Sequence, residues 1–186
     1  MNDTQISKLM SLLLRHAPEK AGLRLDPQGW IAVDDLVAAM NRAGRALSRA
    51  DVERIVAAND KQRFALSPDG ARIRVSQGHS VEVNLAYRPV EPPEVLFHGT
   101  ATRFVESIMA SGLERRSRHH VHLSADRATA VAVGSRHGKS VVLEVAATRM
   151  KADGHQFFQS ANGVWLTERV PPEYLSPAAE REQSSV

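Results

Sequence analysis

Residues 63–75 read R-F-A-L-S-P-D-G-A-R-I-R-V, and the fold of the first half turns on them. Phe64-Ala65-Leu66 is a short apolar run, Ser67-Pro68-Asp69-Gly70 is a dense cluster of turn formers, and Arg72-Ile73-Arg74-Val75 alternates charged with apolar. The stretch therefore predicts a β-hairpin. Towards the N-terminus the period changes to that of a helix. Ser48-Arg49-Ala50-Asp51 has the form of a capping box, with Asp in place of the usual Glu, and predicts a helix start. A helix over 34–42 is apolar at Leu36, Val37 and Met40 and is stopped by Gly44. Residues 4–15 place Ile6, Leu9, Met10 and Leu13 on one helical face and leave Lys8, Ser11 and Arg15 as a basic stripe on the other. Three helices followed by a hairpin suggest a winged helix, spanning residues 1–90.

Beyond the hairpin, residues 88–94 read R-P-V-E-P-P-E, with three prolines and no helical or strand period, and predict a linker. The apolar runs that follow are short. Strands are predicted over 95–97, 120–123, 140–145, 157–159 and 164–167, and helices over 104–110 and 126–133. This reads as a compact, strand-rich α+β lobe over 95–176. The last residues, A-A-E-R-E-Q-S-S-V, carry no core signal, so 177–186 are expected to be a disordered tail.

At 186 residues and 42% hydrophobic, the chain can bury one sizeable core or two small ones. The first 90 residues hold 13 Lys+Arg against 10 Asp+Glu, whereas residues 91–186 hold 11 of each, so all the surplus charge lies in the first half. Ten of those thirteen cations are arginines, which grip phosphate bidentately, and a polyanionic partner is plausible for that half. There is no cysteine, hence no disulfide, thiolate chemistry or cysteine-based zinc site. The N-terminus, M-N-D-T-Q-I-S-K, lacks the pattern of a signal peptide, and no apolar run approaches the length of a membrane span. A soluble, cytoplasmic monomer is expected.

The chemistry-bearing stretch is R-H-H-V-H-L-S over 118–124. Strand alternation puts His120, His122 and Ser124 on one face, with Val121 and Leu123 on the other facing a core. A second short strand ends in His98-Gly99-Thr100. Three readings compete. The histidines can simply fill a half-exposed sheet. His120 and His122 can share a metal ion with His98, although Glu114 and Asp126 lie off the strand and no complete ligand set is visible. Or the strands build an anion or nucleotide pocket, which Arg118 favours because a guanidinium suits phosphate and repels a divalent cation. Arg15 and His16 end the first helix, where the helix dipole alone explains cationic residues. Arg63 follows Asp60-Lys61-Gln62 in what can be a solvated turn. If the two lobes face each other, Arg15, His16, Arg63 and Arg118 converge in one cleft, and their repulsion demands an anion. Neither a P-loop nor a Rossmann fingerprint is present, and no nucleophile elbow or triad spacing stands out.

Taken in order, S-K-L-M-S-L-L-L-R-H-A-P, D-K-Q-R-F, Q-G-H-S, F-H-G-T, R-H-H-V-H-L-S and N-G-V-W-L-T-E-R-V-P-P-E-Y-L resemble the RNA 2'-phosphotransferases of the KptA type, over residues 7–175. The resemblance implies an α+β protein with an N-terminal winged-helix lobe that binds RNA and a C-terminal ADP-ribosyltransferase-like lobe that binds NAD. NAD would be a substrate rather than a redox carrier, and no metal would take part. An internal RNA 2'-phosphate, of the tRNA splice-junction kind, would attack the nicotinamide ribose C1'' and expel nicotinamide. The ribose 2''-hydroxyl would then attack phosphorus, leaving 2'-hydroxyl RNA and ADP-ribose 1'',2''-cyclic phosphate. The catalytic group implied is Arg15, His16, Arg63 and Arg118. His98, Gly99 and Thr100, then His120, His122 and Ser124, would bind NAD, with Gly99 letting the backbone approach nicotinamide. Val164 stands where many protein ADP-ribosyltransferases carry a glutamate, which suits an acceptor that is already anionic. Trp165 reads as core. Arg115-Arg116 departs from the less charged residues that relatives tend to have there, and His79 matches the family without an assured role. Two other readings stay open: an ADP-ribosyltransferase acting on nucleic-acid terminal phosphates or protein, and a non-enzymatic winged-helix nucleic-acid binder.

Overall fold

A computed structural model describes residues 2–59 and 62–178, His137 through its backbone alone. The chain is mixed α and β and divides into two units, each built round its own apolar core. The first takes the residues up to Tyr87 together with Ser117–His119 and Ser160–Asn162, and the second takes the rest.

In the first unit, α1 (Asp3–Arg15) starts at an Asn2 cap whose side chain and that of Gln5 bond each other's backbone reciprocally. β1 (Ile31–Ala32) leads into α2 (Val33–Arg42), and α3 (Arg49–Ala57) begins at the Ser48/Asp51 capping box that the sequence predicts. β2 (Phe64–Leu66) and β3 (Arg72–Val75) form the expected hairpin. Its turn is closed by Ser67 and Asp69: the Arg72 amide donates to Ser67 Oγ (2.9 Å) and the Ala71 amide to Asp69 Oδ1 (3.0 Å). The antiparallel sheet runs β1-β3-β2, with Ile73 facing Ile31 on one side and Leu66 on the other. Met10, Leu14, Leu36, Val52, Ile73 and Val75 are fully buried between helices and sheet. β1 escaped the sequence reading because two residues carry no period.

The second unit comprises β4 (Val95–Ala101), α4 (Thr102–Ser111), β5 (Leu113–Glu114), β6 (Val121–Leu123), α5 (Arg127–Gly134), β7 (Ser140–Ala146), α6 (Ala147–Ala152), β8 (Phe157–Gln159), β9 (Trp165–Thr167), β10 (Arg169–Val170) and β11 (Leu175–Pro177). All pairings are antiparallel, in sheets β11-β7-β4, β6-β9-β8 and β10-β5. The two larger sheets are stitched by Phe97 and Ser124, whose amides and carbonyls exchange bonds of 2.9 and 2.8 Å. β4 does not stop at Phe97 as its apolar run suggests. It continues through His98, Gly99 and Thr100 because β7 pairs with it residue for residue from Val95 to Ala101. Nor is 88–94 wholly without structure, since Pro89 bridges Phe158 and the Val90 amide donates to the Phe157 carbonyl (2.9 Å). The expected C-terminal tail lies outside the described residues from 179 onward, and Pro177 belongs to β11.

α5 crosses β4 on glycines. A Cβ at Gly99 would fall on the carbonyl oxygen of Ala130 and stand 2.9 Å from the Gly134 amide, and one at Gly134 would stand 2.7 Å from the Thr100 carbonyl. The helix backbone therefore rests directly on the strand that carries His98.

Candidate functional site

α1 delivers Arg15 on its last turn and His16 as its C-cap. Loop residues that follow β3 clasp this helix end. The amides of Ser80 and Val81 both donate to the Arg15 carbonyl (3.0 and 3.3 Å), and Ser80 Oγ meets His16 Nδ1 at 2.8 Å. Arg63 is fixed from the other side of the hairpin. The Ser76 amide donates to the Arg63 carbonyl (2.8 Å), Ser76 Oγ to the Gln62 carbonyl (2.8 Å), and Tyr87 Oη to the Ser76 carbonyl (2.6 Å). Gln62 itself takes the left-handed conformation (φ 41°), which turns the chain into β2.

These cations act on one another. Burial, then Arg63, then Arg118 push the Arg15 guanidinium down to about 10, against a small opposing pull from Tyr87. Arg15 is still charged at neutral pH, yet its Nε and Nη2 are buried without a hydrogen-bond partner. The His16 imidazole is lowered by burial and then by Arg15 and Arg118, and so rests neutral near pH 7. His79, 1% exposed and with neither ring nitrogen bonded, is pushed down to about 4 by burial and by Arg15, His119, His16 and Arg74. Buried donors on a charged guanidinium cost several times what an exposed one does unless an acceptor arrives. The arrangement is complementary to a phosphate.

The four residues singled out for catalysis thus share one electrostatic neighbourhood, with one difference from expectation. Arg118 was expected from the second lobe, whereas Ser117–His119 pack within the first unit with Arg15, His16 and Arg63. Ser80 and His79 are additions that sequence reasoning left without a role. The contact of Ser80 with His16 spans 64 residues, so no local pattern reports it.

In the second unit the alternation of β6 holds. Val121 and Leu123 are buried (4% and 2% exposed), while His120, His122 and Ser124 are half-buried on the opposite face. His98 Nδ1 donates to the His122 carbonyl (3.2 Å), which fixes a proton on Nδ1 because a carbonyl can only accept. His120 stands edge-on to Phe158, ring centres 5.5 Å apart. Gly99 admits the backbone of α5, a reason for glycine different from the one the resemblance implies, and Thr100 is buried. Trp165 lies in the core, as read. Arg115 and Arg116 are exposed. Among the described residues no group of three or more His, Asp or Glu side chains is placed to hold a metal ion, and no helix is long and apolar enough to cross a membrane.

Residues 1–169 match the family model described as "RNA 2'-phosphotransferase, Tpt1 / KptA family". The chain belongs to the RNA 2'-phosphotransferase family. It is 57% identical over 173 residues to a protein of Burkholderia lata named "Probable RNA 2'-phosphotransferase", covering 92% of this chain and 89% of that one. A protein of the same name from Agrobacterium fabrum is 57% identical over 95% of both chains, and one from Nostoc punctiforme is 51% identical over 92% of this chain and 94% of its own.

His79 of this RNA 2'-phosphotransferase family member supplies a pH prediction. Its folded-state pKa, about 4, lies below the ordinary histidine value, so the unfolded chain binds the proton first and stability falls as pH drops from about 6.5 towards 4. The loss is about 2–3 kcal/mol. Thermal melts at pH 7 and pH 4.5 should show it, and H79Q should flatten that part of the profile.

Proposed function

We propose that the protein removes an internal 2'-phosphate from RNA, with NAD as co-substrate. A non-bridging phosphate oxygen attacks C1'' of the nicotinamide ribose and the glycosidic bond breaks, its electron pair leaving with nicotinamide. The ribose 2''-hydroxyl of the resulting ADP-ribosylated RNA then attacks phosphorus, and the RNA 2'-oxygen departs with a proton. The products are 2'-hydroxyl RNA and ADP-ribose 1'',2''-cyclic phosphate. One observation carries this reading: the charged Arg15 guanidinium, with two buried donors unpartnered, beside Arg63 and Arg118. That set orients a phosphate for the first step and stabilises the charge that builds on its oxygens in the second. His16, neutral at rest, gains a proton as a dianion approaches and can give it to the departing 2'-oxygen.

The order α1-β1-α2-α3-β2-β3 with sheet order β1-β3-β2 supports reading the first unit as a winged helix. Reading the second as an ADP-ribosyltransferase-like lobe rests on the family resemblance. There His98, His122 and Ser124 would hold NAD. The bond from Nδ1 to the His122 carbonyl orients the His98 ring for that role.

The test is incubation with a 2'-phosphorylated oligoribonucleotide and NAD. One nicotinamide should be released for each 2'-phosphate lost. Intact NAD with unchanged RNA would overturn the reading, and accumulation of ADP-ribosylated RNA would mean that only the first step is catalysed.

A further inference from the structure

We propose that Ser80 is a positioning residue for His16, holding the imidazole through Nδ1 in both of its protonation states so that Nε2 faces the phosphate site. The inference deepens the site reading above and rests on it. Ser80 touches the helix end twice: its amide donates to the Arg15 carbonyl (3.0 Å) and its Oγ meets His16 Nδ1 (2.8 Å). These two bonds close a small ring of atoms through the backbone of Arg15 and His16. A histidine at a helix C-cap otherwise has several side-chain rotamers open to it. Here the ring is oriented by a neighbour that is itself fixed to the backbone of the adjacent arginine. Val81, donating to the same carbonyl at 3.3 Å, keeps that neighbour from pivoting.

The hydroxyl also suits a group that changes charge. The cationic groups that act on His16 are Arg15 on its own helix and Arg118 from the segment 117–119; the imidazole of His79, buried beside it, is neutral near pH 7. With no anion present His16 is therefore neutral, and a serine hydroxyl can donate to Nδ1 or accept from it. When a phosphate dianion makes the imidazolium favourable, both ring nitrogens carry protons and the same Oγ must accept. A hydroxyl rotates from one role to the other without moving its oxygen. An alanine does neither, and a carboxylate there would hold the proton too tightly to release it at Nε2.

The experiment compares wild type, S80A and S80T in two readouts. In turnover of a 2'-phosphorylated oligoribonucleotide with NAD, S80A should lose roughly tenfold in kcat with little change in KM for RNA, and S80T, which keeps the hydroxyl, should recover most of it. The alkaline limb of the pH–rate profile should move to lower pH in S80A, by about half a unit to one unit, because the bond to the charged ring is the stronger one. The second readout needs no turnover: an NMR titration of the His16 ring should show the same downward shift in S80A. Equal kcat, and an unmoved His16 titration in S80A, would overturn the proposal while leaving the site reading intact. A wild type that leaves RNA and NAD unchanged would overturn the site reading, and the titration would still decide whether Ser80 sets His16.

Discussion

Replacing Arg15 by methionine is expected to cost about three orders of magnitude in turnover and, at the same time, to raise the melting temperature by a few degrees. The two effects have one cause. A guanidinium that is partly buried, short of acceptors and faced by Arg63 and Arg118 works against its own fold, and on the function proposed above a phosphate supplies the missing acceptors. Its folded-state pKa of about 10 lies below the ordinary arginine value, so its charge opposes folding at every pH below that, neutral pH included. Discounted for partial exposure, the penalty is about 1–2 kcal/mol. Methionine keeps much of the aliphatic stem and removes the charge and the orphaned donors. Single-turnover kinetics and thermal melts check both effects. Inorganic phosphate should stabilise the wild type more than the variant. A variant that melts lower and turns over within tenfold of wild type would contradict the account.

Gly99→Ala should be the most damaging conservative change in the second unit, lowering stability by about 3 kcal/mol and the melting temperature by roughly 6–12 °C. The added methyl would occupy the position of the Ala130 carbonyl oxygen and press on the amide of Gly134, and neither atom belongs to a side chain that can swing away. α5 would have to lift from β4. Because β4 carries His98, and Phe97 bonds Ser124 next to β6, activity should fall along with stability. Gly154→Ala makes a fair control, since a Cβ there meets nothing within 4 Å and only its φ of 97° opposes the change.

Much of this was legible in the chain. The capping box at Ser48, the turn at Ser67-Pro68-Asp69-Gly70 and the two-faced strand at Val121 to Leu123 are local devices, and local devices can be read from spacing. The grouping of Arg15, His16, Arg63 and Arg118 was not spacing but resemblance, and the structure brings the four into one electrostatic neighbourhood. What escaped reading was set by distant partners. Two-residue strands such as Leu113–Glu114 exist only because Arg169–Val170 lies alongside. The run through His98 to Ala101 is a strand because β7 makes it one, and its glycine answers to a helix some thirty positions later. Ser80 gained its role from a helix end far upstream.

The three residues from Ser117 to His119 belong with the first unit, although the sequence places them well past the proline-rich stretch. Anyone who truncates the gene at those prolines to express the N-terminal half alone will obtain a protein with Arg15 and Arg63 and without Arg118. Such a fragment should grip phosphate weakly and gain little by mixing with unrelated C-terminal halves.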